Sequence, residues 1–291
     1  MSGCTLCPRL CGADRTLGEL GMCGQNDGIR ICRAAPHMFE EPPISGERGS
    51  GTVFFAGCSL GCVYCQNRDI SRGKDLGREV SPRELADIFF KLRDEGVHNI
   101  NLVTATHFAD KVRLALEIAK PTLGIPVVYN TSGYERVETL VSLNGLIDIY
   151  LPDLKYASDE LAKKYSSAPD YPSVAEKALS EMYGQVGKFE YGADGMLKKG
   201  VVVRHLVLPG ARKDSMKALD MLAATLPPSE ILLSLMSQYT PEFALDTPYK
   251  ELHRRVTTFE YNAVLQHALS LGFDGFMQER SSATKIYTPE F

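Results

Sequence analysis

No stretch of this chain approaches the roughly 20 consecutive apolar residues that a bilayer-spanning helix needs, so a membrane protein is not expected. The opening residues, MSGCTLCPRLCG, lack the continuous apolar run of a secretory signal, and a reducing cytoplasmic setting is expected. A basic tract is also missing. The 32 Lys and Arg are spread along 291 residues with a formal charge of -4, which supplies no broad positive field for a phosphate backbone and disfavours nucleic acid as a partner. A local basic pocket could still hold a carboxylate or a phosphate. No short internal repeat is visible. With 44% hydrophobic and 23% charged residues, the composition is that of a globular protein without long disordered tails, large enough for one core and a small appendage.

Cysteine, by contrast, is plentiful and clustered. Cys4, Cys7, Cys11 and Cys23 form one group and Cys58, Cys62 and Cys65 a second, with Cys32 between them. A secreted disulfide scaffold is usually shorter and needs no such grouping, so metal or cluster ligation is the better account. Cys32 stands outside both groups and is expected to be a small buried side chain or spare thiol.

Residues 1 to about 48 are rich in Cys, Gly and Pro, show little periodicity and have too few apolar side chains to close a core; a metal could substitute for one. This cysteine-rich extension is expected to pack on a main body formed by residues 49–291. In that body, β-like apolar runs alternate with helical ones. Thr52 to Ala56, Asn99 to Thr104, Pro126 to Asn130, Ile147 to Leu151, Val201 to Val207 and Ile231 to Leu235 are strand candidates of the kind found in parallel sheets. Ser81, Pro82 and Glu84 form a helix start, and Leu85, Ile88, Phe89 and Leu92 recur on one face before Gly96. Further helices are expected at Ala109 to Lys120, Glu135 to Leu143, Ser215 to Ala224 and Thr257 to Leu271, with an insertion around 157–199. Six β/α steps imply an α/β fold, either a partial TIM barrel or a doubly wound sheet. In both, the active site lies at the carboxyl ends of the strands.

Directly after the first expected strand comes Gly57-Cys58-Ser59-Leu60-Gly61-Cys62-Val63-Tyr64-Cys65-Gln66-Asn67. Three cysteines on one loop can hold three corners of a cuboidal iron-sulfur cluster and leave its fourth iron without a protein thiolate. Structural zinc would accept closely spaced cysteines too, but it usually takes four ligands and would need a remote partner.

The Cys-x3-Cys-x2-Cys string, with aromatic Tyr64 before the last Cys, resembles the radical S-adenosylmethionine (SAM) superfamily, and the likeness runs from about Gly49 through Gly275. Residues Glu40 to Gly46 and Gly49 to Phe55 resemble, more narrowly, the PflX-like relatives of the pyruvate formate-lyase activating enzyme. The resemblance implies a partial (β/α)6 barrel and a four-iron four-sulfur cluster on Cys58, Cys62 and Cys65. SAM would chelate the open iron and yield, on one-electron reduction, a 5'-deoxyadenosyl radical that removes a hydrogen atom from a substrate. It also implies a one-electron donor such as flavodoxin or ferredoxin, and hydrogen abstraction that could activate a glycyl-radical protein, with radical modification of a small molecule as the alternative. A noncatalytic iron-sulfur or zinc-binding interaction module is the reading from a different class; mere binding does not need an open cluster corner.

The same resemblance places Tyr64 near the adenine and assigns the strand ends to SAM. Thr104-Ala105-Thr106-His107 replaces a Gly-Gly-Glu segment, so that Thr104 and Thr106 could supply hydrogen bonds and His107 a site contact. Asn130-Thr131-Ser132-Gly133 resembles an Asp-Thr-Asn-Gly string, with Asn130 and Ser132 as contacts to ribose or the methionyl part. Asp153-Leu154-Lys155 matches an activase-like motif in which the Asp helps bind a monovalent cation, although the companion carboxylate is here Asn130. Lys155 could meet a carboxylate or pair with Asp153, which shares its side of an extended strand. Arg204 needs an anionic partner if buried, and the SAM carboxylate is one. At the sixth strand a cofactor-facing His is not reproduced; Gln238 or Tyr239 could line the pocket instead. Strings like Cys4-Thr5-Leu6-Cys7-Pro8-Arg9-Leu10-Cys11 occur in the PflX-like group, and with Cys23 they could hold zinc, a second iron-sulfur cluster or nothing.

Overall fold

Runs of β-branched and apolar residues alternating with amphipathic helices build one mostly parallel sheet in the computed structural model, which describes residues 3–72 and 76–277. The strands are β1 (Ile29–His37), β2 (Ser50–Phe55), β3 (Arg78–Val80), β4 (Ile100–Val103), β5 (Val127–Thr131), β6 (Ile149–Pro152), β7 (Glu190–Tyr191), β8 (Leu197–Leu206), β9 (Leu232–Met236) and β10 (Gly275–Met277). The helices are α1 (Pro42–Ser45), α2 (Arg68–Arg72), α3 (Pro82–Asp94), α4 (Ala109–Leu123), α5 (Val137–Ser142), α6 (Asp159–Ser166), α7 (Tyr171–Val186), α8 (Arg212–Thr225) and α9 (Thr258–Ser270). The sheet order is β10-β9-β8-β6-β5-β4-β2-β1-β3. Strands β2, β4, β5, β6, β8, β9 and β10 pair in parallel, whereas β1 and β3 extend the β2 edge in antiparallel fashion. The result is an α/β partial barrel with six β/α steps, lengthened by β10.

Each of the six expected strands is present. The helix starts are equally direct. Ser81 and Thr257 each accept from the backbone N–H three residues on, while Glu84 and Glu260 reach back to the cap. Such a cap contributes about 1 kcal/mol.

Strand periodicity of two separates the two faces of the sheet. Tyr129, Tyr150, Val201 and Val203 belong to the large apolar layer under the helices. Their neighbours Val128, Ile149, Leu151, Val202 and Leu232 face the lumen and form a smaller cluster, which Ile44 of α1 fills from inside. Ile44 is fully buried, a burial that stabilises by about 1.5–3 kcal/mol. The short helix α1 thus plugs the floor of the barrel.

Two boundaries differ from expectation. The cysteine-rich extension was expected to reach residue 48, but β1 pairs with β2 along Ile31 to His37, so residues from Ile29 onward belong to the sheet. The Arg30, Arg33 and Pro36 residues of this strand hide its β pattern. Within the 157–199 insertion, α7 packs against α5 and α8 as an ordinary crossover helix; the added parts are α6 and the β7 hairpin. Residues 278–291 of the expected body lie outside the described residues.

Candidate functional site

A cavity of ≈ 220 Å³ opens at the carboxyl ends of the parallel strands. Cys58, Cys62, Tyr64 and Cys65 form one side of its lining, and Thr104, Asn130, Ser132, Asp153, Lys155, Arg204 and Gln238 contribute the strand ends. All of these were expected at the site from sequence. Thr106 and His107 were expected there too, and the structure does not bring them to the cavity.

The cysteine loop is held from several directions. Gly57 has φ +84, and a side chain there would collide with the Cys23 carbonyl and Gln25; only glycine fits both demands. Arg72 of α2 donates to the carbonyls of Gly61 and Cys62 at 3.0 and 2.9 Å. Every sulfur accepts a hydrogen bond: Cys58 from the Leu60 N–H at 3.4 Å, Cys62 from the Ser166 hydroxyl at 3.0 Å, and Cys65 from the Ser71 hydroxyl at 3.7 Å. Ser166 is linked through the Tyr156 hydroxyl to Tyr64, both contacts being 2.7 Å. Burial pushes the Cys65 thiol up to about 12, so a thiolate there needs a metal to stabilise it. Hydrogen bonds to cluster sulfurs are among the levers that set a cluster's potential. The donor set therefore fits an iron-sulfur cluster: three thiols on one loop, none competing with a neighbouring carboxylate for the same position.

Directly above the apolar floor, the next inward-facing position of three strands is polar: Asn130 follows Val128, Asp153 follows Leu151 and Arg204 follows Val202. The Arg204 guanidinium donates to Asp153 at 3.0 Å, to Glu40 at 3.3 Å and to Asn130 at 2.5 Å. Lys155 donates to the second Asp153 oxygen at 2.6 Å. Burial acts to raise the Asp153 carboxyl, but the Lys155 and Arg204 charges outweigh it and hold it below the ordinary range. Arg204 thus finds its anionic partners within the chain. Both Asp153 oxygens are engaged by cationic side chains.

Glu40 was missed by sequence reasoning. It is buried in the lumen, where Asn101 donates to it at 2.9 Å, and burial raises its carboxyl despite Arg204. His37, Phe39 and Phe54 form an edge-on aromatic group on the same side of the cavity. Glu40 and Arg204 are 164 positions apart, and only the sheet order makes them neighbours. The available signal was the Glu40 to Gly46 string that carries the narrower resemblance, in which no residue was singled out for the site.

At the end of β4 the backbone turns sharply. Thr104 has φ +60, an unusual conformation for a β-branched residue, held by its N–H on the Asn130 carbonyl at 2.9 Å. The turn carries Thr106 and His107 away from the cavity. Thr106 donates to buried Glu135, and His107 pairs its Nε2 with the Ala56 carbonyl at 2.7 Å; burial lowers His107 to about 4. The His107 carbonyl receives Arg15 of the amino-terminal segment at 2.6 Å. His107 therefore acts as a docking point for that segment. Gly133, at φ +75, has no space for a side chain because the Asp153 carbonyl stands against it.

The amino-terminal segment lies against the cysteine loop. The Cys23 carbonyl accepts the Cys58 N–H at 3.3 Å. Arg9 donates to the Ser59 carbonyl at 2.8 Å and to the Ser166 carbonyl at 2.9 Å, and stacks on Tyr134. Cys32 packs with Phe54, Ile70 and Val103, apart from both cysteine groups. Among the described residues, no three His, Cys, Asp or Glu side chains converge as closely as the ligands of one metal ion do. Cluster thiolates bind one iron each and need not converge on a point.

The sequence profile of the radical SAM superfamily matches residues 52–242. The chain belongs to that superfamily, and membership implies SAM cleavage with an iron-sulfur cluster. An uncharacterized protein of Methanocaldococcus jannaschii is 27% identical over 280 residues, covering 93% of this chain and 75% of its own length. SuiB of Streptococcus suis, in a crystal structure bound to S-adenosylmethionine, aligns at TM-score 0.52 and 13% identity, covering 80% of this chain and 51% of SuiB. A domain of pyruvate-formate lyase-activating enzyme from Bacteroides vulgatus aligns at TM-score 0.43 and 16% identity, over 59% of this chain and 91% of the domain. The chain spans about half the length of SuiB, and at these identities the solved structures speak to fold alone.

Proposed function

We propose that Cys58, Cys62 and Cys65 hold a four-iron four-sulfur cluster and that the strand-end layer of Asn130, Ser132, Asp153, Lys155 and Arg204 receives SAM. The observation that carries this reading is the placement of three hydrogen-bonded thiols on one side of a cavity, with the polar strand ends also in its lining. When bound, the cluster supplies the electron that cleaves SAM, and the 5'-deoxyadenosyl radical so released removes a hydrogen atom from the substrate. The chain's own residues position the reactants. Tyr64, fixed by Tyr156, offers a ring edge at the cavity wall. The Asp153–Lys155 and Asp153–Arg204 pairs orient donors toward a carboxylate without a change of protonation. A one-electron donor such as flavodoxin or ferredoxin is required.

A small-molecule substrate is the finer reading we favour over a glycyl-radical protein. The base of the cavity is lined by Glu40, Asp153, Lys155 and Arg204, a layer of ion pairs that suits a compact polar substrate better than a flexible polypeptide loop. Anaerobic reconstitution, reduction and addition of SAM should release 5'-deoxyadenosine, and Cys58→Ser should abolish it. A chain that carries an intact reduced cluster yet forms no 5'-deoxyadenosine would sink the proposal. A new glycyl-radical signal on a co-purified protein would instead support the activating reading.

A further inference from the structure

Residues 3–28 invert the usual distribution of side chains. The buried ones are Cys7, Arg15, Cys23 and Gln25, whereas Leu10, Leu17, Leu20 and Met22 are each at least 54% exposed. A segment in which Leu10, Leu17 and Leu20 face water while Cys7 and Cys23 face inward has no hydrophobic core to hold it together. Polar contacts recur where it meets the body: Arg15 donates to the His107 carbonyl, Arg136 to the Thr5 carbonyl and Thr139 to the Leu6 carbonyl.

We propose that Cys4, Cys7, Cys11 and Cys23 bind a thiophilic metal centre of their own, zinc or iron-sulfur, separate from the one at Cys58, Cys62 and Cys65. Two tight turns present the thiols. One is closed by the Leu10 N–H on the Cys7 carbonyl and strains Leu10 to φ +45; the other is closed by the Gly24 N–H on the Gly21 carbonyl. Cys4 is brought beside Cys11 by backbone pairing of Cys4 with Ala13 and Gly12. Gly21 lies between two of the sulfurs: a side chain there would stand 3.2 Å from the Cys23 sulfur and 3.5 Å from that of Cys11. Its φ is not in the left-handed region, so the space beside the sulfurs, rather than backbone conformation, calls for glycine here. Buried Arg15 places a positive charge 3.7 Å from the Cys4 sulfur, where it would offset the excess negative charge of four thiolates on a divalent ion or cluster. The thiols are gathered without converging on one point. A cluster accepts that spread, whereas zinc requires the two turns to tighten. Because the Cys23 carbonyl holds the Cys58 N–H, occupancy at the first site braces the second.

The full-length chain carrying Cys58→Ser, Cys62→Ser and Cys65→Ser, purified anaerobically, isolates the question. About one zinc per chain, or iron with matching acid-labile sulfide, is expected, and it should be lost when Cys4→Ser and Cys11→Ser are added. Either metal supports the proposal and tells the two fillings apart. Neither metal, or content unchanged by the added substitutions, overturns it. A second measurement needs no variant: Cys4 and Cys11, only partly buried, should resist alkylation until a chelator is added. Immediate alkylation of both, or a disulfide among the four in the anaerobic chain, also overturns it.

Discussion

Glu135 is buried behind the strand ends with the Thr106 and Thr131 hydroxyls donating to one oxygen. Burial raises its carboxyl from 4.5 to about 7, against the opposing effect of those hydrogen bonds. The unfolded chain therefore loses this proton near pH 4.5 and the folded chain only near 7. Over that window the folded state binds more protons, so stability falls as pH rises and then levels off. Glu135→Gln keeps an acceptor for the threonines and removes the titration. It is expected to match the parent near pH 4.5 and exceed its stability at pH 8 by up to about 3 kcal/mol, measured from denaturant midpoints at the two pH values. At this scale the site was legible wherever a strand continued. Asn130, Asp153 and Arg204 were placed by their resemblance to strand-end motifs of the family, and the continuing strands carry them to the cavity. Thr106 and His107 do not reach it, because the left-handed backbone at Thr104 breaks the period just before them.

The element that plugs the barrel floor is also the one that periodicity hides. Helix α1 has four residues, begins with two prolines and carries one large apolar side chain, Ile44. It reads as a loop because it is too short for a 3.6-residue pattern. Its importance comes from insertion into the lumen against six residues of four different strands. Ile44→Ala should leave a void at the barrel floor and destabilise the protein by about 2–5 kcal/mol in urea unfolding. A cost under about 1 kcal/mol would mean that the floor is packed by something other than α1. The capped helices are the opposite case. Ser81 and Glu84 were readable because both groups of the box lie within four residues of chain.

For the whole molecule, the parallel core was legible because each β/α step is written locally, as an apolar run followed by an amphipathic helix. The added antiparallel edge and the seat of residues 3–28 were not, since their partners are remote in sequence. Arg9 illustrates this: one guanidinium gathers carbonyls from the cysteine loop and from Ser166 and Ser167. Arg9→Ala should loosen the whole amino-terminal segment, with faster hydrogen exchange over residues 3–28 and in the Cys58–Cys65 loop and a loss of about 2 kcal/mol. Exchange confined to the immediate neighbours of Arg9 would show that the segment is held elsewhere.

The Arg9 clamp also sets an order of events. It joins positions separated by as many as 158 residues, so the contact can form only after Ser166 and Ser167 have been brought into place by the body of the fold. Closing so long a loop is entropically costly and slow compared with local helix formation. Until then the Cys58 N–H lacks the carbonyl that Cys23 provides. Docking of residues 3–28 therefore completes the hydrogen bonding of the cysteine loop, and that loop reaches its final order only when the segment seats.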